Sequence, residues 1–414
     1  MKLQKVVEGN VSALSVAVSL CIIAAGFYNT AQAADWPNYR GPDYNGITTE
    51  TGWKSNWGDA GPKVLWKKSV GIGFSSITVA DGQVYAMGNT GKTGNTDIVY
   101  CFDATTGREK WTHSYPCPLE PKYYEGGTLS TPTVDGDRVY TLSKMGSLFC
   151  LNAADGKVVW QKELNKAMGN ELPTWHFSSS ALIVDDMLVL NIGDAGLALN
   201  KHTGEQIWMN GKGICGYATP VPFEMNGQSG LAIFGKNSII AVSPVNGRKL
   251  WEFPWVTKHD VNAADPIIFG NYVFITSGYN RGCALLEIKD GKVTKVWESR
   301  VMRTQINCCV LYDGFLYGFD ESTFKCIAPM DGTEKWSERS LGKGSLMMSA
   351  DGRMIIMSDK GELVIAQANE QQFKSLARVQ ILPKKRCWTT PVLANGKIYA
   401  RNAFGDMVCV DVGD

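Results

Sequence analysis

Short stretches of alternating apolar and polar residues recur along the chain, as in VYTL (139–142), FLYGF (315–319) and IYAR (398–401). Alternation at period two marks strands with one buried face. Between neighbouring stretches stand dipeptides that accept positive φ: Asp81-Gly82, Asp135-Gly136, Asp185-Asp186, Asn226-Gly227, Gly270-Asn271, Asp313-Gly314, Asp351-Gly352 and Asn395-Gly396. Tight hairpin turns demand that backbone. A second marker keeps step with the first. Trp falls at 66, 111, 160, 208, 251, 297 and 336. In most units a Gly precedes it by four residues: Gly107, Gly156, Gly204, Gly247 and Gly332. Gly291 and Gly61 stand slightly farther from Trp297 and Trp66.

Eight turns in step with this marker predict eight units, each of four short antiparallel strands. Units of about 40 to 50 residues repeated in this way are β-propeller blades. The expected fold is therefore all-β, an eight-bladed β-propeller over residues 61–414. The seven tryptophans, Trp66, Trp111, Trp160, Trp208, Trp251, Trp297 and Trp336, are expected to be structural docking residues, each a flat ring filling the gap between adjacent sheets. The final unit stops at CVDVGD (409–414) without a fourth strand, whereas GPKVLWKK (61–68) supplies a spare strand at the front. That strand is expected to complete the eighth blade. The seventh blade rests on its hairpin alone, because LVIAQANEQQFKSLAR (363–378) has neither Gly nor Trp.

Residues 1–33 read differently. Lys2 and Lys5 precede an apolar run, and AQA (31–33) is followed by Ala34. This is the form of a cleaved secretory signal, implying a secreted or periplasmic mature chain without a stable membrane anchor. Residues 34–60 form a leader segment. A net charge of +1 gives no reason to expect nucleic acid as a partner. Export would permit disulfides. Yet Cys101, Cys150, Cys326 and Cys409 occupy one slot in four repeats, which favours buried free thiols. No spacing suggests a metal site. AMGNTGKT (86–93) fits a loose phosphate-loop pattern, but NTDIVYCFD follows it as a strand where a helix would be needed.

The runs ATTGREKW (104–111) and NKHTGEQIW (200–208) resemble the tryptophan-docking motif of the PQQ-like, quinoprotein alcohol dehydrogenase-like propellers. The resemblance covers residues 61–414. It implies eight blades, and a family that includes both dehydrogenases using pyrroloquinoline quinone (PQQ) and the cofactor-free assembly factor BamB. The leader DWPNYRGPDYNG (35–46), with GIGFSS (71–76), resembles secreted members of the planctomycete type. The enzymes of this family hold PQQ with calcium, an Asp base, an Arg at the quinone and a disulfide of adjacent cysteines. Here the adjacent pair is Cys308-Cys309, in the sixth blade. That position does not match the enzymes, which carry theirs early in the chain. Eight blades also leave almost no residues for the long insertions that build a substrate chamber.

A site, if present, belongs where the segments leading into the eight first strands surround the axis. Those segments hold Tyr124, Glu125, Trp175, His176, Tyr217, Asn262, Asp265, Arg303, Gln305, Asn307, Lys343, Arg386 and Trp388. Aromatics mixed with both charge signs suit a polar organic ligand or a peptide. The leading expectation is a non-catalytic, monomeric binding or scaffold module of the cell envelope, without cofactor, whose partners are envelope proteins or peptide segments. The alternative is a PQQ- and calcium-dependent alcohol or sugar dehydrogenase. It would use Asp265 or Glu125 as base, Asn262 and Asn307 at calcium, and Arg303 or Arg386 at the quinone.

Overall fold

A computed structural model describes residues 34–414, apart from 59, 91–94, 166–168, 170 and 414. The signal segment 1–33 lies outside the described residues, as does the tip of the phosphate-loop-like run. That run is flanked by the strands Gln83–Asn89 and Thr96–Asp103 of one hairpin. Eight sheets of antiparallel strands follow one another along the chain. Their first strands are Thr78–Ala80, Thr133–Asp135, Leu182–Val184, Val221–Met225, Ile267–Phe269, Val310–Tyr312, Ser345–Ser349 and Val392–Ala394, taken here as opening blades 1 to 8. Strand Lys63–Ser69 pairs antiparallel with Asp406–Asp411 and becomes the fourth strand of blade 8. The ring is thus closed by the first and last strands of the propeller, as the sequence predicts.

The hairpin dipeptides sit between first and second strands, with two differences. In blade 2 Asp135 pairs with Arg138, so the turn is Gly136-Asp137, one residue later than expected. In blade 7 the ladder opens at Met348 and Met354, giving a wider turn around Gly352.

The Gly-Trp spacing has a direct physical cause. With one exception, each docking Trp lies over the turn of the next blade. Gly107, Gly156, Gly204, Gly247 and Gly332 adopt φ between 67° and 73°, and a Cβ on any of them would meet the indole of Trp66, Trp111, Trp160, Trp208 or Trp297 within about 3.2 Å. Only glycine combines that backbone with that approach. The indole Nε1 donates to a carbonyl of the same turn, at 2.7 to 3.2 Å, in the cases of Trp66, Trp111, Trp160, Trp208, Trp297 and Trp336.

Trp251 is the exception in its seat, because no glycine turn lies beneath it. It would have to dock on blade 5. The third and fourth strands of that blade are joined by the two-residue hairpin Asp290-Gly291, because Lys289 pairs directly with Lys292. Gly291 has no indole over it. A hairpin this tight replaces the longer turn on which the other indoles rest. Trp251 still fills the gap between sheets. It is 6% exposed, lies 6.0 Å from Phe223, and shares an apolar cluster with Val273, Leu286 and Ile288 of blade 5. Its role is therefore packing without a glycine seat.

The cysteine slot is the position opposite the Trp. Tyr85–Cys101–Trp111, Tyr140–Cys150–Trp160, Tyr317–Cys326–Trp336 and Tyr399–Cys409–Trp66 each align across three strands. A small apolar thiol leaves room for the flanking rings, whose centroids lie 5.8 to 6.1 Å apart. All ten cysteines of the described residues are buried and free.

Blade 7 replaces the Trp with Ala377, opposite Ile365. Val379 takes the seat instead, since a Cβ on Gly61 (φ 72°) would meet it at 2.6 Å, and both Ala377 and Val379 share an apolar cluster with Trp53 and Trp57 of the leader. The leader is therefore part of the fold. Trp36 bridges Val79, Pro37 accepts from the Val134 amide, Tyr44 reaches the Ile183 carbonyl, and Ile47–Thr48 adds a parallel strand to blade 7. Glu50 binds the amides of Asn395 and Gly396. These partners all lie at the hairpin ends of the first strands. The leader thus crosses the axis at the end opposite the lead-in segments.

Candidate functional site

The lead-in segments converge on a bowl of about 280 Å³. Its wall is held by a relay of hydrogen bonds between blades. In blades 2 to 6 the residue two places before the first strand accepts from its neighbour's backbone. Ser76 N donates to Thr131 Oγ1 at 2.9 Å, Thr131 N to Ser180 Oγ at 2.9 Å, and Ser180 N to Thr219 Oγ1 at 3.2 Å. Thr219 N donates to Asp265 Oδ1 at 2.8 Å, and Asp265 N to Cys308 Sγ at 3.2 Å. Ser76 Oγ closes the other side on Thr390 O at 3.0 Å. Short polar side chains at this position satisfy buried amides that no strand ladder reaches.

Seven of the thirteen expected residues line the bowl: Tyr124, Trp175, Tyr217, Asp265, Gln305, Asn307 and Trp388. Asp265 is 4% exposed. Burial pushes its carboxyl up to about 6, against the pull of Arg40 and of the Thr219 amide. The Arg40 Nε lies 3.9 Å from its second oxygen, and Arg40 also donates to the carbonyls of Tyr44, Asn45 and Cys309. Beside it, Tyr39 OH and Cys308 Sγ share a hydrogen bond at 3.6 Å. Burial first, then the nearby Asp265 carboxylate, push the Cys308 thiol up to about 11, so it is neutral. Cys308 and Cys309 are separate thiols, the second 3.5 Å from Thr304 Oγ1.

The other expected residues have partners of their own. Glu125 and Arg386 form an ion pair at 2.6 Å, with the guanidinium 4.4 Å above Trp388. His176 sits at φ 67° with Nε2 2.9 Å from Glu120, and burial lowers its proton affinity. Lys343 contacts Gln305 and lies 3.4 Å from Glu321. Two residues fall away from the bowl. Asn262 is fully buried behind the wall, where its amide N donates to the carbonyls of Gly235, Lys236 and Trp255 and its oxygen accepts from Ser277. Arg303 forks onto Asp320 at 2.6 and 2.8 Å, a carboxylate it shares with Lys325. Asn262, one of the two expected calcium ligands, and Arg303, one of the two expected quinone partners, are thus occupied in holding loops.

Sequence reasoning missed Tyr39, Phe74, Tyr123 and Tyr279, which also line the bowl. Tyr39 and Phe74 lie in the leader and in GIGFSS, and no repeat register marks them. Among the described residues, no three His, Cys, Asp or Glu side chains are grouped to hold a metal ion. The described lining contains no Lys or Arg and a single carboxylate, Asp265.

Comparison with known proteins agrees with this architecture. A family model described as outer membrane protein assembly factor BamB matches residues 94–338. BamB of Shewanella oneidensis is 22% identical over 378 residues, 84% of this chain and 89% of its own. A quinoprotein ethanol dehydrogenase of Pseudomonas putida is 26% identical over 148 residues, 33% of this chain but 22% of its own. Among solved structures, BamB from Moraxella catarrhalis superposes with a TM-score of 0.61 at 16% identity, covering 84% of this chain and 97% of that one. Quinohemoprotein alcohol dehydrogenase from Comamonas testosteroni gives 0.65 at 13% identity, covering 93% and 82%. At such identities the structural likeness speaks for the fold alone. The family match spans more than half of the chain, from the first blade to the sixth, so the chain belongs to the BamB family of PQQ-like eight-bladed β-propellers.

Proposed function

We propose that this chain is a non-catalytic binding and scaffold module of the cell envelope, secreted or periplasmic after removal of residues 1–33. One observation carries the reading: the groups that catalysis would need are engaged in contacts within the protein, Glu125 with Arg386 among them. Asp265, the candidate base, accepts from the Thr219 amide and faces Arg40. Asn262 and Arg303, candidates for calcium and quinone, are bound elsewhere.

The donor set also does not suit PQQ with calcium. PQQ is a tricarboxylate and needs cations around it, and calcium takes six to eight oxygen ligands. A bowl lined by one carboxylate and no cation offers neither. Partners of the module would be envelope proteins or peptide segments. The fourth strands of the blades are outer edges, with exposed apolar side chains such as Val158, Val159, Ile207, Val296 and Leu376. An extended partner segment can add to such edges. The similarity to outer membrane assembly factors supports the envelope setting.

The test is a dye-linked dehydrogenase assay on the mature chain with PQQ and calcium, over primary alcohols and aldoses. No turnover above protein-free controls is expected. Turnover that Asp265→Asn abolishes would contradict the reading.

A further inference from the structure

The bowl is two-sided, and the two sides are chemically unlike. Trp388, Phe74, Tyr124 and Trp175, from the segments leading into blades 8, 1, 2 and 3, form a continuous aromatic wall. Phe74 lies 5.8 Å from Trp388 and 5.5 Å from Tyr124, and Tyr124 lies 5.9 Å from Trp175. Asp265, Gln305 and Asn307 come from blades 5 and 6, which an eight-fold ring places across the axis. The leader crosses the far end, with Tyr39 in the lining, so the bowl has one mouth.

Charge narrows the occupant. A cation would seek the indole faces. Lys122 already lies 5.6 Å over Trp175, and Arg386 and Lys343 lie 4.4 and 5.5 Å over Trp388, so a second cation there would meet like charge, whereas a neutral ring would not. An anion would meet the Asp265 carboxylate with no cation in the lining. A purely apolar ligand would leave polar groups stranded. Thr389 Oγ1, on a side chain only 3% exposed, and Trp175 Nε1 are buried without a partner among the described residues. Asn307 spends its amide N on the Gly344 carbonyl at 2.6 Å, which leaves its oxygen turned to acceptor duty. A neutral ring with one apolar face and a hydroxylated edge satisfies both walls.

We propose that the axial bowl is a carbohydrate site. A neutral pyranose stacks its C–H face on the Trp388–Phe74–Tyr124–Trp175 wall and presents hydroxyls to Asp265, Asn307 and Thr389. The site rests on the non-catalytic reading above, in which the sugar is held and not oxidised.

The test uses the mature chain and a defined panel: D-glucose, D-galactose, N-acetyl-D-glucosamine, cellobiose and chitobiose, with choline and citrate as the cationic and anionic arms. Binding is followed by tryptophan fluorescence and by calorimetry. Saturable binding of at least one sugar at millimolar concentration or below is expected, with none for choline or citrate. Trp388→Ala and Asn307→Ala should each weaken it roughly tenfold, the loss of one stacked face or one hydrogen-bond set. Trp388→Phe, which keeps a stacking face, should restore most of it, and this guards against a variant that merely misfolds. No saturable sugar binding, preferential binding of choline or citrate, or sugar binding indifferent to Trp388→Ala and Asn307→Ala would each overturn the carbohydrate site. Absence of sugar binding leaves the scaffold reading intact. PQQ-dependent oxidation of a bound sugar would instead overturn that reading, so the two failures are told apart.

Discussion

Asp265 stands where Thr131, Ser180 and Thr219 stand in other blades, and it does the same work of accepting a neighbour's amide. What differs is its charge. Burial lifts its carboxyl to about 6 from an unfolded value of 3.8, so the fold prefers the protonated form. The stability tied to that preference is fully present below the unfolded value and is lost as pH rises through the folded one. The contribution is on the order of 3 kcal/mol, spread over roughly pH 4 to 6. Asp265→Asn should flatten that part of the Tm-versus-pH curve relative to the parent, measured by thermal unfolding between pH 4 and 8. Parallel curves would contradict it.

At this scale the sequence was partly legible. Turn spacing located the lead-in segments, and in blades 1 to 5 and 8 the residue two places before the first strand lines the bowl. Farther upstream the loops differ in length, so no fixed offset separates an axial residue from a bracket. That is why Asn262 and Arg303 were grouped with Asp265, although the chain turns them into the wall.

At the scale of the element, the docking turn can be tested against itself. Gly204 has φ 73° and would place a Cβ 2.8 Å from the Trp160 ring, whereas Gly291 has φ 71° and nothing within 4 Å. Gly291→Ala should therefore lose only the left-handed backbone penalty, about 1 kcal/mol. Gly204→Ala adds displacement of the indole and should lose about 2 to 4 kcal/mol. Denaturant unfolding of the two variants separates the terms, and equal losses would show that the Trp contact adds nothing. The Gly-Trp repeat was readable because a single geometric demand, a left-handed residue beneath an indole, recurs from blade to blade. Trp251 shows where that reading stops. The period places it with the other tryptophans, but the seat belongs to the following blade, and blade 5 has a tight hairpin there. Blade 7 was not readable by the repeat either. Its Ala377 shares an apolar cluster with Trp53 and Trp57, some 320 residues earlier in the sequence, and no local pattern announces packing of that range.

The whole molecule depends on its N-terminal residues twice, once through the closing strand and once through the leader. Trp36 and Trp53 are 1% and 2% exposed, and truncating a buried indole loses about 3 to 5 kcal/mol. A chain beginning at residue 61 keeps the closing strand but loses both indoles and the Arg40 bracket. It should unfold at a clearly lower temperature than the chain beginning at residue 34, as read by calorimetry. An unchanged transition would contradict a structural leader. Ring closure was visible in the sequence as a missing strand at one end and a spare at the other. The leader's course across the axis was not, because its contacts are single bridges to many blades.

The central claim is that this axis binds without catalysing, and calorimetric titration of the mature chain with PQQ, with and without calcium, addresses it most directly. A bowl with one carboxylate and no lining cation predicts no saturable heat in either condition. Calcium-dependent binding at micromolar concentration or tighter would contradict the account and place the chain with the dehydrogenases.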